Sequence, residues 1–478
     1  MLLREKVIAF LKSKVIQMEN SNESFDLKIM GARTRVGMGW ANNERKLVAL
    51  DKNTLEPVVA DWSYEDAPEE ITTTHIFTDT KPTKRLLVNS ELYVRGSLVN
   101  ISNIGGAGAA FAAIQDNGNV VAWGLLSQGG VTPTSDRNHD VKVVYGSEDT
   151  SIGINNLKQI FVWGRTSDDP IPENIAALND VSVVKAFTSW DTASYRVFVA
   201  LRENKQIVQW GDEGWPWSIP EHIAEMKDIV AIEATEGAFA AIKENGHVIA
   251  WGDPERGGQI PEHLNDISDA RKIFGNDYCF VVLHESGKVS AWGNSQNGGE
   301  IPADISALSD IIKIYPYFGG FMALIANNTL VEWGWYGNSI PPEVASRSDF
   351  VDVQVGSSHI PVVLFPDGKV VSWGKVENPY YVQQPKDLSD VILICAAPES
   401  VAVIKKDGSV VAWGSTTEGG GDTTSVASEL FNIRAIYPST YGFCALRDDG
   451  KVIFWGRNKS DMSPLPPELQ NNISYAWE

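Results

Sequence analysis

Nine times along this chain an apolar segment ends in Trp-Gly, at Trp123, Trp163, Trp210, Trp251, Trp292, Trp333, Trp373, Trp413 and Trp455, with a spacing of about forty residues. A fixed period of that length means one supersecondary unit copied in series, each copy burying a face against its neighbours. Alignment on the Trp exposes further columns. Nine residues before it stands an aliphatic: Ile114, Ile154, Leu201, Ile242, Leu283, Leu324, Leu364, Ile404 and Leu446. Three before it stands another: Val120, Ile160, Ile207, Val248, Val289, Leu330, Val370, Val410 and Val452. Between the two columns lies a polar turn that places Gly118, Gly246, Gly287, Gly368, Gly408 and Gly450 five residues before the Trp. A tight hairpin needs a positive-φ residue at such a place. Each copy therefore reads as strand, hairpin turn, strand.

After Trp-Gly comes a polar, Gly-rich loop, often with Ile-Pro as at Ile219-Pro220, Ile260-Pro261, Ile301-Pro302 and Ile340-Pro341, and then a further apolar strand. Short antiparallel strands repeating every forty residues or so, with no helical periodicity between them, spell an all-β fold, a β-propeller. The competing architecture is a β-solenoid or open superhelix, whose coils are shorter and whose strands are parallel. The expected organisation is an amino-terminal basic helix at 1–27, degenerate propeller blades at 28–97, and regular repeats with a carboxyl-terminal closing strand at 98–478. Nine repeats are intact and one or two more are degenerate: KLVALDKNTLEPVVADW ends at Trp62, and KRLLVNSELYVRG puts Arg95 in the place of Trp. The segment NNISYAWE is the expected closing strand, which would remove an open sheet edge.

The unit IKENGHVIAWGDPERGGQIPEHLNDI resembles the bacterial short form of the regulator of chromosome condensation repeat, a family that includes a propeller-type β-lactamase inhibitory protein. The resemblance runs from about residue 100 to 478 and implies a propeller, usually of seven blades, a number that nine intact copies exceed. For function it implies partner contacts through the corresponding loops. Surface residues of the nucleotide-exchange role known for the eukaryotic namesake find no match. A shared fold alone does not fix an activity.

Composition narrows the partner. A net charge of −21 excludes a nucleic-acid backbone as the natural ligand and favours neutral or basic protein surfaces. Cys279, Cys395 and Cys444 fall in different copies within apolar runs and read as buried hydrophobes rather than a disulfide frame or metal set. No apolar stretch is long enough to cross a bilayer, and Lys12 and Lys14 interrupt the amino-terminal apolar run, against a cleaved secretory signal. The expected location is the cytoplasm, or outside the cell without a classical signal. In the first twenty residues Leu3, Val7, Phe10 and Leu11 share a helical face beside Arg4, Lys6, Lys12 and Lys14, either as a helix against the propeller edge or as a docking or export segment.

Connections in a propeller blade alternate between its two faces. The loops before the middle strand and those after Trp-Gly share one face, and the Gly turns occupy the other. On the first face fall Trp190, Asp191 and Tyr195; Asn276, Asp277 and Tyr278; Tyr315, Tyr317 and Phe318; His359; Tyr437 and Tyr441; Trp215 and Trp217; Trp335 and Tyr336; Tyr380 and Tyr381. Aromatic-rich loops on a rigid scaffold have the composition of a binding surface. The plainer reading is that they plug a central channel or pack loop on loop. The expected function is non-catalytic protein binding, as an inhibitor, effector or assembly component. A lectin-like carbohydrate binder is the alternative, disfavoured because the loops differ from copy to copy. No cofactor, metal set or catalytic motif emerges, and His222 and His263 recur at one repeat position as duplication requires. An enzyme of this fold would be expected to work at the central channel.

Overall fold

The computed structural model describes residues 27–31, 45–81, 86–90, 92–94, 98–100, 110–114, 118–146, 150–164, 171–188, 195–335, 340–374, 381–417, 420–439, 441–456, 462–463 and 466. The expected amino-terminal helix and NNISYAWE lie outside these residues. Between residues 98 and 456 the chain forms nine successive antiparallel sheets, here called repeats 1 to 9, each with inner, middle and outer strands in chain order. In repeat 4 these are Ile229–Ala234, Ala238–Lys243 and Val248–Gly252. The two aliphatic columns of the sequence are cross-strand partners: Ile242 faces Val248, Leu283 faces Val289, and Leu446 faces Val452. The Trp closing each outer strand packs on the aromatic opposite it in six repeats, stacked in five of them, for example Phe239–Trp251 at 5.5 Å and Phe198–Trp210 at 5.1 Å. Repeat 2 reaches the same stack differently. Phe161 packs on Trp163 from the same strand at 5.5 Å, and the ring fills the space over Gly153, where a Cβ would lie 2.1 Å from it.

Each sheet is apolar on both faces, so its side chains pack alternately against the repeat before and the repeat after. Eight buried clusters result, one per junction, from repeats 1–2 around Ala112 and Trp163 through to repeats 8–9 around Leu393 and Trp455. The series closes on itself. Ala435, Tyr437 and Cys444 of repeat 9 share a core with Phe111 and Trp123 of repeat 1, and Phe454 meets Phe111 edge to face at 5.9 Å. The protein is a β-propeller, and a backbone clasp completes it. In repeat 8 the preceding linker adds a fourth outer strand, Tyr381–Val382, against Ser415 and Gly414. Met462–Ser463, which follows repeat 9, pairs in the same register with Leu125 and Gly124 of repeat 1. The chain after repeat 9 thus treats repeat 1 as its successor, and the clasp is Met462–Ser463.

The indole N–H groups follow a rule that links neighbouring repeats. Where the linker contains Gly-Gly, the carbonyl of the next-to-last Gly of the run accepts from the next Trp: Trp163 on Gly129 at 3.1 Å, Trp292 on Gly257 at 2.9 Å, Trp333 on Gly298 at 3.1 Å, and Trp455 on Gly420 at 2.9 Å. In two junctions whose linker lacks Gly-Gly, a polar residue just before the earlier Trp does the same work, Gln209 for Trp251 and Ser372 for Trp413, both at 2.9 Å. In these six junctions a buried donor is satisfied, whereas the indole nitrogens of Trp123 and Trp373 have no hydrogen-bond partner among the described residues.

The Gly-turn side explains both the Gly column and its exceptions. Lys158, Lys205 and Asn328 hold the Gly place in three repeats with φ of 59°, 64° and 63°, so the left-handed turn survives without Gly. The turn carbonyl then bonds the following inner strand, Gly246 O accepting from Ala270 at 3.1 Å and Lys205 O from Ile229 at 3.1 Å. At Gly246, φ is 78° and a Cβ would stand 2.4 Å from the Ser268 carbonyl oxygen. Gly246→Ala is expected to destabilise by about 1–2 kcal/mol from the backbone alone, more with the clash, and a thermal melt against Lys205→Gly, which should not destabilise, checks it.

Residues 27–94 depart from the repeat plan. Leu27–Gly31, Arg45–Asp51 and Ile76–Asp79 form one sheet, while Ala60–Tyr64, Ala67–Thr74, Leu86–Val88 and Leu92–Val94 form another. The stretch read as one hairpin ending at Trp62 is therefore divided between two sheets, and Trp62 stacks on Phe77 at 5.1 Å. Both sheets pack on the closing junctions instead of standing in the nine-membered series. Met30, Val48 and Leu50 enter the core of repeats 8 and 9, whereas Ile29, Leu47 and Trp62 enter that of repeats 9 and 1. Ion pairs tie the first sheet and its following turn to the Gly-turn end: Lys46–Asp352 at 3.2 Å, Lys28–Asp448 at 3.2 Å and Glu56–Lys406 at 2.8 Å.

Candidate functional site

The face opposite the Gly turns carries the aromatic loops. In repeat 3, Tyr195, Trp215 and Trp217 form a chain of edge-to-face contacts, with centroids 5.6 and 5.0 Å apart, and Phe187 anchors Trp215 from the core side at 5.2 Å. Trp217 keeps 36% of its surface exposed. Across repeats 5 and 6, Tyr278 meets Phe318 edge to face at 5.5 Å. Beyond Phe318, Trp335 donates its backbone N–H to Gly319 O at 2.7 Å and leaves 65% of its surface in solvent.

Between these two patches lies a polar bridge from repeat 4. Arg256 stands over the Tyr278 ring at 5.4 Å, pairs with Glu236 at 2.6 Å and reaches Asp253 at 3.7 Å. Burial, then the charges of Asp277 and Glu236, push the Tyr278 phenol above its ordinary value against the opposing pull of Arg256. The phenol therefore stays protonated and able to donate at neutral pH. Glu236 and Arg256 carry no aromatic or repeat signature.

The structure divides the loop residues by depth. Tyr195, Trp215, Tyr278 and Phe318 are half-buried, and Trp217 and Trp335 are exposed. Asn276, Asp277, Tyr315, Tyr317, His359, Tyr437 and Tyr441 are buried and offer no open surface, a correction to their expected place on the face. The reasons are local. Tyr315-Pro316-Tyr317 and Tyr437 continue their inner strands, Ile311–Tyr317 and Ile433–Ser439, and so alternate into the junctions. Gly320 makes room for Tyr317, since a Cβ there would lie 2.4 Å from the phenol oxygen. Asn276 shapes its own turn, its Oδ1 accepting from Tyr278 N and Cys279 N at 2.9 Å each. His359 pairs with Glu332 and packs on Tyr317 at 4.8 Å between centroids. Trp190, Asp191, Tyr336 and Tyr380 lie outside the described residues. Tyr381 is described only through its backbone pairing.

Nothing in this face gathers into a metal site: no cluster of three metal-ligating side chains occurs among the described residues. Burial pushes the thiols of Cys279 and Cys444 far up, which makes them inert as nucleophiles. No described helix is long and apolar enough to cross a membrane. The Gly-turn face differs in kind. It is laced with ion pairs within and between repeats, among them Arg202–Asp180 at 2.9 Å and Lys205–Glu244.

No protein-family model matches the chain, and no curated protein matches its sequence. Solved structures similar to it include the computationally designed Ika8 protein, at 14% identity over 69% of this chain and 99% of that one with a TM-score of 0.35. Yeast RCC1 (Prp20), solved bound to Kap60, is similar at 14% identity over 81% and 78% of the two chains, with a TM-score of 0.31. BamB from Moraxella catarrhalis is similar at 11% identity over 65% and 95%, with a TM-score of 0.30. Scores this low carry no argument. The architecture stands on the closed series of sheets.

Proposed function

We propose that this propeller binds a protein partner through the aromatic face of repeats 3 to 6, and that this face does no chemistry of its own. The observation that carries the reading is the exposure of Trp217 and Trp335 on one face, each held by partly buried aromatic or backbone neighbours. A large aromatic left in solvent on a rigid support is the kind of group that dominates binding energy when a partner covers it. The bridge of Glu236, Arg256 and Tyr278 would supply oriented polar contacts between the two anchors. With a net charge of −21, the chain favours a neutral or basic partner surface. Inhibitor, effector and assembly roles all use such a face, and the resemblance to the bacterial short-repeat propellers points the same way.

The test is affinity capture with the intact protein, followed by titration of each captured protein against Trp217→Ala, Trp335→Ala and the double variant. Each Trp is expected to contribute about 2 kcal/mol or more, roughly thirtyfold in affinity, while the melting temperature stays unchanged. Partners retained at unchanged affinity by the double variant would remove the face as the site. Glycan-array binding lost in the same variant would instead give the face to a carbohydrate.

A further inference from the structure

Independently of the aromatic face, repeat 5 departs from its siblings in two sequence columns at once. Eight residues before the Trp, repeats 3 and 4 place a cation that meets the Asp preceding the inner strand: Arg202 on Asp180 at 2.9 Å and Lys243 on Asp228 at 3.1 Å. Repeat 5 places His284 there, with Nδ1 2.6 Å from Asp269 Oδ1. Two residues before the Trp, the other eight repeats carry Val, Ile or Phe, as at Val208, Ile249 and Val331. Only repeat 5 carries a hydroxyl in that column, Ser290, and its Oγ lies 2.8 Å from His284 Nε2. His284 is buried, Ser290 half-buried and Asp269 half-exposed.

We propose that Asp269, His284 and Ser290 form a nucleophilic triad that takes small carboxylic esters. An ionised carboxylate only accepts hydrogen bonds, so Asp269 fixes the imidazole proton on Nδ1 and leaves the Nε2 lone pair facing the Ser290 hydroxyl. Both spacings fall within the reach that the nucleophile–base and base–orienter contacts require. Ser290 Oγ adds to the ester carbonyl carbon as its proton passes to His284 Nε2. The imidazolium then protonates the departing alkoxide, which leaves as the alcohol, and the acyl group remains on Ser290. Water, deprotonated by the same nitrogen, releases the carboxylic acid and restores the hydroxyl. Ser290 stands inside a regular strand, Val289–Gly293, and not at a turn where consecutive amides converge on an oxyanion. The expected behaviour is therefore ready acylation with slow turnover, and the half-buried position restricts the acyl group to a small one.

The repeats themselves provide the control variants. His284→Lys keeps an Asp–cation pair of the kind repeat 4 uses, and Ser290→Val restores the aliphatic of the other repeats, so both preserve the sheet. The full-length protein is treated with a fluorophosphonate probe, the label is located by peptide mass spectrometry, and p-nitrophenyl acetate is followed for a burst. The wild type is expected to carry one label, on Ser290, and to release about one equivalent of p-nitrophenol rapidly. His284→Lys should lower the labelling rate about 100-fold or more, the loss of a general base, and Ser290→Val should abolish it. An unlabelled Ser290 in the folded wild type, or equal labelling of wild type and His284→Lys, overturns the proposal.

Discussion

Trp292→Ala lowers the stability of the propeller by about 3–5 kcal/mol, the range for deleting a large buried aromatic. Trp292 is 1% exposed, packs tilted on Phe280 with centroids 5.4 Å apart, and its Nε1 donates to the Gly257 carbonyl of the preceding linker at 2.9 Å. Truncation opens a cavity at the junction of repeats 4 and 5 and strands a buried carbonyl. The measurement is the shift in thermal midpoint together with amide exchange in the strands flanking that junction, because a ring of repeats tends to open first where one interface is weakened. A contrast inside the molecule separates packing from hydrogen bonding. The indole nitrogen of Trp373 is buried and has no hydrogen-bond partner among the described residues. Trp292→Phe should therefore cost about 1 kcal/mol more than Trp373→Phe, since the first loses a made bond and the second removes an unmet donor. Equal costs would show that the cross-junction bond is immaterial.

The columns that made the propeller legible are those whose physics is local. An aliphatic at −9 and another at −3 flank a tight turn, so they must face each other once the hairpin closes, and Ile242 and Val248 do. The period also implied that each Trp packs across a junction. What stayed hidden depends on neighbours distant in sequence. Met462–Ser463 is too short to carry a strand pattern, and only its pairing with repeat 1 gives it a role. Trp62 closes an apolar run as the repeat Trp residues do, yet the strands that contain it and precede it belong to different sheets.

The site was legible by parity and illegible by depth. Alternation of connections assigns a loop to a face but does not tell whether a tyrosine in it ends a strand or leaves it. Tyr317 and Phe318 are adjacent, and one is buried against His359 while the other lies half-buried beside Tyr278. The flanking glycine decides: Gly320 opens the space that Tyr317 fills. Polar residues in repeat columns were likewise misleading singly and informative by comparison. Gln209 and Ser372, just before their Trp, accept from the next repeat's indole, whereas Glu332 at the same place has been taken over by His359.

That exchange makes the Glu332–His359 pair the second site of large expected effect. Glu332 is 4% exposed and His359 1%, and the carboxylate Oε1 meets the imidazole Nε2 inside the junction of repeats 6 and 7. Removing either member deprives the other of this buried contact, which costs up to about 3–5 kcal/mol for such pairs, whereas replacing both by apolar residues costs far less. Glu332→Leu and His359→Leu should each lower the thermal midpoint sharply, and the double variant should recover a large part of the loss. His359 also sits at φ 63°, a region that His tolerates better than Leu, so its single substitution carries a backbone contribution as well. The double-mutant cycle cancels that contribution because it appears in both variants lacking the imidazole. Glu332→Gln is the informative intermediate. Its amide oxygen can accept from the Trp373 indole as Gln209 does from Trp251, so it should cost less than Glu332→Leu. A cycle with no coupling energy, or a Gln variant as damaging as Leu, would show that the buried pair contributes only volume.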